Sequence, residues 1–162
     1  RVPFIAAWAK PDAKNKFQKK YPIAQNAVQL QQGTVMDLYP TILSVAHVKS
    51  PKHYALDGAD LKKLLQGKED KNHRDDFLMH FPHGEHRANY FTTYRKGDWK
   101  LIYYYNPETT GIPTWKLYNL KDDPYETSEL SAKYPEKTAS MIELMKNRLT
   151  EENALYPITE NK

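Results

Sequence analysis

With 162 residues, 40% of them hydrophobic and 27% charged, the chain is long enough for one domain with a real core or for parts of two, and its composition excludes wholesale disorder. A formal charge of +4 favours anionic partners such as sulfated or phosphorylated ligands, acidic glycans or nucleic acid, although a solvated surface explains so mild an excess equally well. There is no cysteine, which excludes disulfides and cysteine-ligated metals, and no apolar run approaches the roughly 20 residues of a membrane helix, so no membrane span is expected.

Residues 1–8 hold Val2, Phe4, Ile5 and Trp8 in a short apolar run without the charged lead or small-residue cleavage site of a signal peptide. The run reads as a buried strand, which needs neighbours on both sides, so the chain is expected to start inside a fold. Residues 9–33 are polar; Lys14, Lys16, Lys19 and Lys20 fit a solvated connection better than a basic loop over an anion. Val35, Leu38, Tyr39, Ile42 and Val45 then recur at the spacing of one helical face, which is assigned to core packing. Pro40 belongs in a first turn, so the helix is expected to begin near Leu38 with Asp37 as its cap. Asp57 and Gly58 mark a turn before a short helix presenting Leu61, Leu64 and Leu65. Residues 68–76 lack an apolar anchor, and a boundary near Asn72 separates a segment 1–72 from a subdomain 73–162.

The second part has a period of two. Phe77, Met79 and Phe81 share one strand face; Trp99, Leu101, Tyr103 and Tyr105 share another, with Lys100, Ile102 and Tyr104 opposite. Lys96-Gly97-Asp98 supplies a hairpin turn, and Trp115 to Leu120 forms a further run, so an antiparallel sheet is expected. Asp122, Asp123 and Glu126 read as an acidic turn rather than a cation site, which would need six or more converging oxygens. Met141, Ile142, Met145 and Leu149 recur at helical spacing behind Pro135 and Glu136, predicting a helix that covers one sheet face. The tail from Thr150 is expected to wrap over the surface.

Between the first two strands lies a basic loop with His80, His83, His86 and Arg87. Pro82 and Gly84 disfavour a helix there, and the zinc-protease pattern needs two histidines one helical turn apart with a glutamate beside the first, so no metal is assigned to it. Anion recognition fits better: these four residues, with Arg95 and Lys96, offer charged or chargeable donors, and Phe81, Tyr90 and Tyr94 offer faces for sugar rings or bases. For each histidine the competing role is a satisfied core residue or a solvated one. No Gly-x-Ser-x-Gly elbow, Gly-rich phosphate loop or cysteine supplies a nucleophile, so no catalytic residue is assigned.

Several segments in order resemble the C-terminal part of a formylglycine-dependent sulfatase of the alkaline-phosphatase-like superfamily, and bacterial polysaccharide sulfatases in particular. They are residues 1–8, Asp37-Leu38-Tyr39-Pro40-Thr41-Ile42-Leu43, Leu56-Asp57-Gly58-Ala59-Asp60-Leu61, His80-Phe81-Pro82-His83, Arg95-Lys96-Gly97-Asp98-Trp99-Lys100-Leu101-Ile102, and residues 117–127. The resemblance implies an α/β fold with an α+β C-terminal subdomain: the last strand and helices of an incomplete α/β domain, then a small antiparallel sheet packed on a C-terminal helix. It implies sulfate-ester hydrolysis on a sulfated polysaccharide or oligosaccharide, with calcium and formylglycine in the full-length enzyme but neither liganded nor formed by this chain. Ser44-Val45-Ala46-His47-Val48 lacks the arginine of the family's Cys/Ser-x-Pro/Ala-x-Arg motif, so the chain alone is expected to be inactive, and its partners to be a sulfated glycan and the missing N-terminal part. The His-x-Pro-His segment of relatives approaches the substrate entrance, which makes His80 and His83, and by extension His86 and Arg87, candidate substrate-binding residues. His47 and Tyr125 stand where relatives commonly have glycine. Relatives are periplasmic or secreted, and that location is expected here. A phosphatase or phosphonate hydrolase of the same superfamily, or a non-enzymatic polyanion-binding module, is the alternative; no zinc-finger spacing or single-strand-binding aromatic motif points to nucleic acid.

Overall fold

The computed structural model describes residues 2–50, 52–82, 90–105 and 114–156. The chain divides into two compact units, Arg1–Arg74 and Asp75–Lys162.

The first unit is built from short helices. Helix α1, Lys16–Lys20, is capped by Asn15, whose Oδ1 accepts from the Phe17 and Gln18 amides at 2.8 and 3.2 Å. A 3-10 turn, Val35–Asp37, leads into α2, Leu38–Val45, and α3 spans Lys62–Leu65. Among the described residues of this unit, Tyr21, Leu61 and Leu64 are the buried apolar side chains; Asp37, Thr41 and His73 are buried with them. The Tyr21 hydroxyl donates to Asp60 Oδ1 at 2.7 Å, and burial together with that carboxylate pushes its pKa up.

Three expectations change in this unit. Residues 2–8 form no strand, and Ile5 is 89% exposed, because no described residue offers them a ladder. Helix α2 begins at Leu38 as the proline placement predicts, but Asp37 does not cap it. The Asp37 carboxylate reaches backwards to Thr34, accepting from its amide at 2.6 Å and its hydroxyl at 3.1 Å, and across to the Ala59 amide at 2.8 Å. The apolar stripe of α2 is also not the inward face: Tyr39 and Ile42 are exposed, whereas Thr41 is enclosed, passing a bond from the Leu61 amide (2.9 Å) to the Asp37 carbonyl (2.6 Å).

Helix α2 ends in a Schellman motif, with the His47 amide on the Ser44 carbonyl at 3.1 Å and the Val48 amide on the Leu43 carbonyl at 2.9 Å. His47 therefore carries φ +56°, a left-handed conformation that costs a non-glycine residue about 1–2 kcal/mol. Its ring regains part of that against Phe17, 5.0 Å away edge-on. His47→Gly is expected to stabilise the first unit by about 0.5–1 kcal/mol, read as a raised urea midpoint at unchanged slope. A lowered midpoint would show that the ring contact outweighs the strain.

The second unit is a four-stranded antiparallel sheet in the order β1 (Asp76–Phe81), β2 (Phe91–Lys96), β3 (Trp99–Tyr104) and β4 (Trp115–Asn119), followed by α4, Pro135–Glu151. Lys96 pairs with Trp99 across Gly97 and Asp98, and Gly97 takes the φ of +58° that such a tight turn requires. Leu78, Tyr94, Leu101 and Leu117 sit side by side in the register and meet Met141, Met145 and Leu149 of α4, with Ile142, Trp99, Tyr103 and Trp115 around them. Pro135 occupies the first turn of α4, where its missing N–H costs nothing. The open edge of β4 is covered: the Leu117 amide donates to Glu129 Oε1 and its carbonyl accepts from the Leu130 amide, both at 2.9 Å. The predicted fold class is thus observed, a sheet on a C-terminal helix preceded by helical segments.

Candidate functional site

The loop flagged by the sequence leaves the sheet between β1 and β2, and its root is held by two cross-strand pairs of opposite direction. Phe81 and Phe91 stack with ring centres 5.6 Å apart on one face. On the face toward α4, His80 pairs with Thr92, which has 0% of its surface exposed.

Both ring nitrogens of His80 meet protein groups. Nε2 lies 2.7 Å from the Leu155 carbonyl, and Nδ1 lies 2.7 Å from Thr92 Oγ1, itself 2.7 Å from the Tyr105 hydroxyl. A carbonyl only accepts, so Nε2 donates to Leu155; in the neutral ring Nδ1 then accepts from Thr92, whose oxygen accepts from Tyr105. Burial pushes the Tyr105 hydroxyl up, partly offset by the Thr92 bond, which keeps it protonated as the first donor of the chain. Tyr156 approaches the His80 and Tyr105 rings edge-on at 6.0 and 6.1 Å. The arrangement clamps residues 155–156 to the root of the loop.

Thr92→Val keeps the shape of the side chain and removes the middle of this relay. Because Tyr105 lies 3.3 Å from His80 Nδ1 and can pair with it directly, the expected loss is about 1–2 kcal/mol rather than the full cost of two orphaned groups. Urea denaturation checks the loss, and carboxypeptidase digestion checks the freed tail; a midpoint shift under about 0.3 kcal/mol would contradict the relay.

His83, His86 and Arg87 lie outside the described residues. The other predicted anion donors are not brought to His80. Arg95 Nε donates to the Gly97 carbonyl at 3.0 Å and Lys96 Nζ to Asp75 Oδ1 at 3.0 Å, at the hairpin end of β2. At about 3.3 Å per residue, Lys96 is roughly 13 Å along the strand from Thr92. Tyr94 is a core residue whose hydroxyl donates to Asp76 Oδ2 at 3.0 Å, and burial with that carboxylate pushes its pKa up. Thr92, Tyr105 and the Leu155 carbonyl escaped the sequence reading; only the position of Thr92 opposite His80 could have signalled one of them, once the register was known.

Among the described residues no group of three or more His, Cys, Asp or Glu side chains could hold a metal ion. The acidic turn is committed to the protein. Asp123 Oδ2 accepts from the Thr127 and Ser128 amides at 2.7 and 2.8 Å, Asp122 accepts from Asn119 Nδ2 at 2.8 Å, and Glu126 holds Lys100 Nζ at 2.7 Å. Calcium does not fit this turn, whose carboxylates are taken up by protein donors.

Residues 7–154 match the family model described as N-sulphoglucosamine sulphohydrolase, C-terminal. A sulfatase of Formosa agariphila is 34% identical over 146 residues, which cover 80% of this chain and 25% of that protein. An uncharacterised sulfatase of Schizosaccharomyces pombe is 34% identical over 121 residues, covering 68% and 20%. A solved structure of a protein in complex with its substrate D-glucosamine-2-N,6-O-disulfate shares 30% identity at a TM-score of 0.57, over 70% of this chain and 23% of that one. The chain spans a fifth to a quarter of the length of these curated relatives.

Proposed function

Because this chain belongs to the N-sulphoglucosamine sulphohydrolase C-terminal family, we propose that it is the C-terminal part of a sulfatase acting on a sulfated polysaccharide or oligosaccharide. The match over residues 7–154 carries this reading, and the glucosamine disulfate bound by the 30%-identical protein supports the substrate class. In the full-length enzyme, calcium and formylglycine from the N-terminal part supply the sulfate-ester chemistry. This chain contributes recognition: Arg87 offers a guanidinium fork to sulfate oxygens, His83 and His86 offer further donors, and His80 holds the root of the loop that carries them. Such an enzyme meets its glycan in the periplasm or outside the cell, without nucleic acid as a partner. Alone, the chain is inactive.

The test compares the longer polypeptide encoded by the gene with the 162-residue chain, each offered a sulfated glucosamine, an aryl sulfate and the matching phosphate and phosphonate esters. Sulfate release by the longer form alone is expected; a preference for phosphate or phosphonate, or turnover by the short chain, would defeat the reading. In the longer form, Arg87→Ala is expected to raise KM for the sulfated sugar by about ten- to a hundredfold, from loss of a charged hydrogen bond worth about 1.5–3 kcal/mol, with kcat little changed. An unchanged KM would remove Arg87 from the site.

A further inference from the structure

The net charge of the chain is concentrated in one short stretch. Residues 8–21 hold Lys10, Lys14, Lys16, Lys19 and Lys20 against the single carboxylate of Asp12, an excess of +4 that equals the formal charge of the whole chain, so the rest balances to zero. Elsewhere lysines meet acids: Lys63 on Asp70 at 2.8 Å, Lys96 on Asp75 at 3.0 Å and Lys100 on Glu126 at 2.7 Å. The five here are all exposed, and among the described residues none of their ammonium groups meets a carboxylate. As sequence the run fits a solvated connection, but its backbone is closed on itself. The Trp8 indole N–H donates to the Tyr21 carbonyl at 3.2 Å; Gln18 Nε2 donates to the Lys10 carbonyl at 2.9 Å, and its Oε1 accepts from the Asp12 amide at 2.8 Å. Asp12 Oδ1 is itself occupied by the Lys14 amide at 2.8 Å. The five cations are thus held on one fixed loop. Their mutual repulsion is most direct in α1, where Lys16, Lys19 and Lys20 are neighbours at i, i+3 and i+4, and an anion laid against them relieves it.

We propose that residues 10–20 form a second polyanion-binding surface, additional to the His80 loop, which holds the strand of a sulfated polysaccharide beyond the sugar that reacts. The choice of glycan rests on the sulfatase reading; the charge and its fixed scaffold do not. Lysine is a point charge on a flexible stem and suits sulfates whose positions vary along a polymer, whereas the arginine fork suits one fixed group. Single-stranded nucleic acid calls for free aromatic faces on which bases stack. The ring between these lysines, Phe17, is instead engaged edge-on by Trp8 at 6.3 Å and His47 at 5.0 Å. An anionic membrane calls for an apolar helix face beside the charges, and α1 offers Phe17 alone. A strand held on the lysines raises the effective concentration of its sulfated sugars at the reacting site, so the surface favours long chains over single sugars.

The test uses the longer polypeptide encoded by the gene, with heparin as the polymeric probe and glucosamine-2-N,6-O-disulfate as the single sugar. Lys16→Gln, Lys19→Gln and Lys20→Gln together are expected to weaken heparin binding at least about tenfold at about 0.1 M salt. The slope of log affinity against log salt should fall by about two to three, roughly one for each lysine removed. KM for heparin should rise about tenfold while KM for the single sugar stays unchanged. Lys→Arg at the same three positions should restore binding. Lys121→Gln, Lys133→Gln and Lys146→Gln, the same charge change at exposed sites of the second unit, should leave it intact. The melting temperature of the triple Gln variant should match or exceed wild type, because like charges have been removed from an exposed helix. Undiminished heparin affinity of that variant, an equal loss from the second-unit set, failure of arginine to restore binding, a lowered melting temperature, or a defect confined to single-stranded DNA or phosphatidylserine vesicles would each overturn the proposal. Heparin binding through the lysines without release of sulfate from either probe leaves the surface standing and defeats the sulfatase reading. Normal turnover of the single sugar with heparin binding indifferent to the lysines does the reverse.

Discussion

Gly58→Ala is expected to destabilise the first unit by about 3–5 kcal/mol, far beyond the usual cost of one added methyl. A Cβ at this position would overlap the carbonyl of Met36 and lie 2.6 Å from the amide nitrogen of Asp37. Both are backbone atoms of the 3-10 turn, so no side chain can swing aside to relieve the clash. The backbone at 58–59 must approach this closely for the Ala59 amide to reach Asp37 Oδ1, and the Leu61 amide to reach Thr41 two residues later. Separating the two segments breaks those bonds and leaves buried donors without partners, at about 1–3 kcal/mol each. Amide hydrogen exchange is the discriminating measurement: protection should collapse across residues 34–65 while the amides of β2 and β3 keep theirs. A loss under about 1 kcal/mol, or a uniform loss in both units, would show that the close approach is not what holds this segment.

Gly58 also shows where sequence reading stops. The Asp57-Gly58 pair marked a turn, yet the φ of Gly58 is not in the left-handed range; the position needs glycine for space that only the folded chain reveals. The stripe of Val35, Tyr39 and Ile42 was legible as a face to be buried, but periodicity says nothing about what buries it, and among the described residues nothing does. Asp37 was legible as a helix-start residue, and the direction of its carboxylate depended on Ala59, 22 residues away. The sheet and α4 were readable because their partners are local. A two-residue turn sets the register of β2 on β3, and α4 supplies the apolar stripe that fits the face so defined. The pairing of β1 with β2 crosses a longer connection that sets no register, so the Thr92 partner of His80 was hidden, as was the Leu155 carbonyl 75 residues on.

Leu101→Ala should cost the second unit about 3–5 kcal/mol. Leu101 is wholly enclosed at the centre of the sheet, between Tyr94 on β2 and Leu117 on β4, and beneath Met141, Met145 and Leu149. Strands on both sides and a helix above leave the site little freedom to collapse, which puts the loss toward the upper part of the range for a buried leucine. Met79 supplies the internal control. It lies on the opposite face of the same sheet and is 44% exposed, so Met79→Ala is expected to cost less than about 1 kcal/mol. Because strand side chains alternate, a one-residue slip of β3 against its neighbours would turn Leu101 away from α4 and bring Lys100 or Ile102 under the helix. Urea denaturation of the two variants therefore tests the register as well as the packing, and a Leu101→Ala loss as small as that of Met79→Ala would be incompatible with the pairing of Tyr94, Leu101 and Leu117 beneath α4.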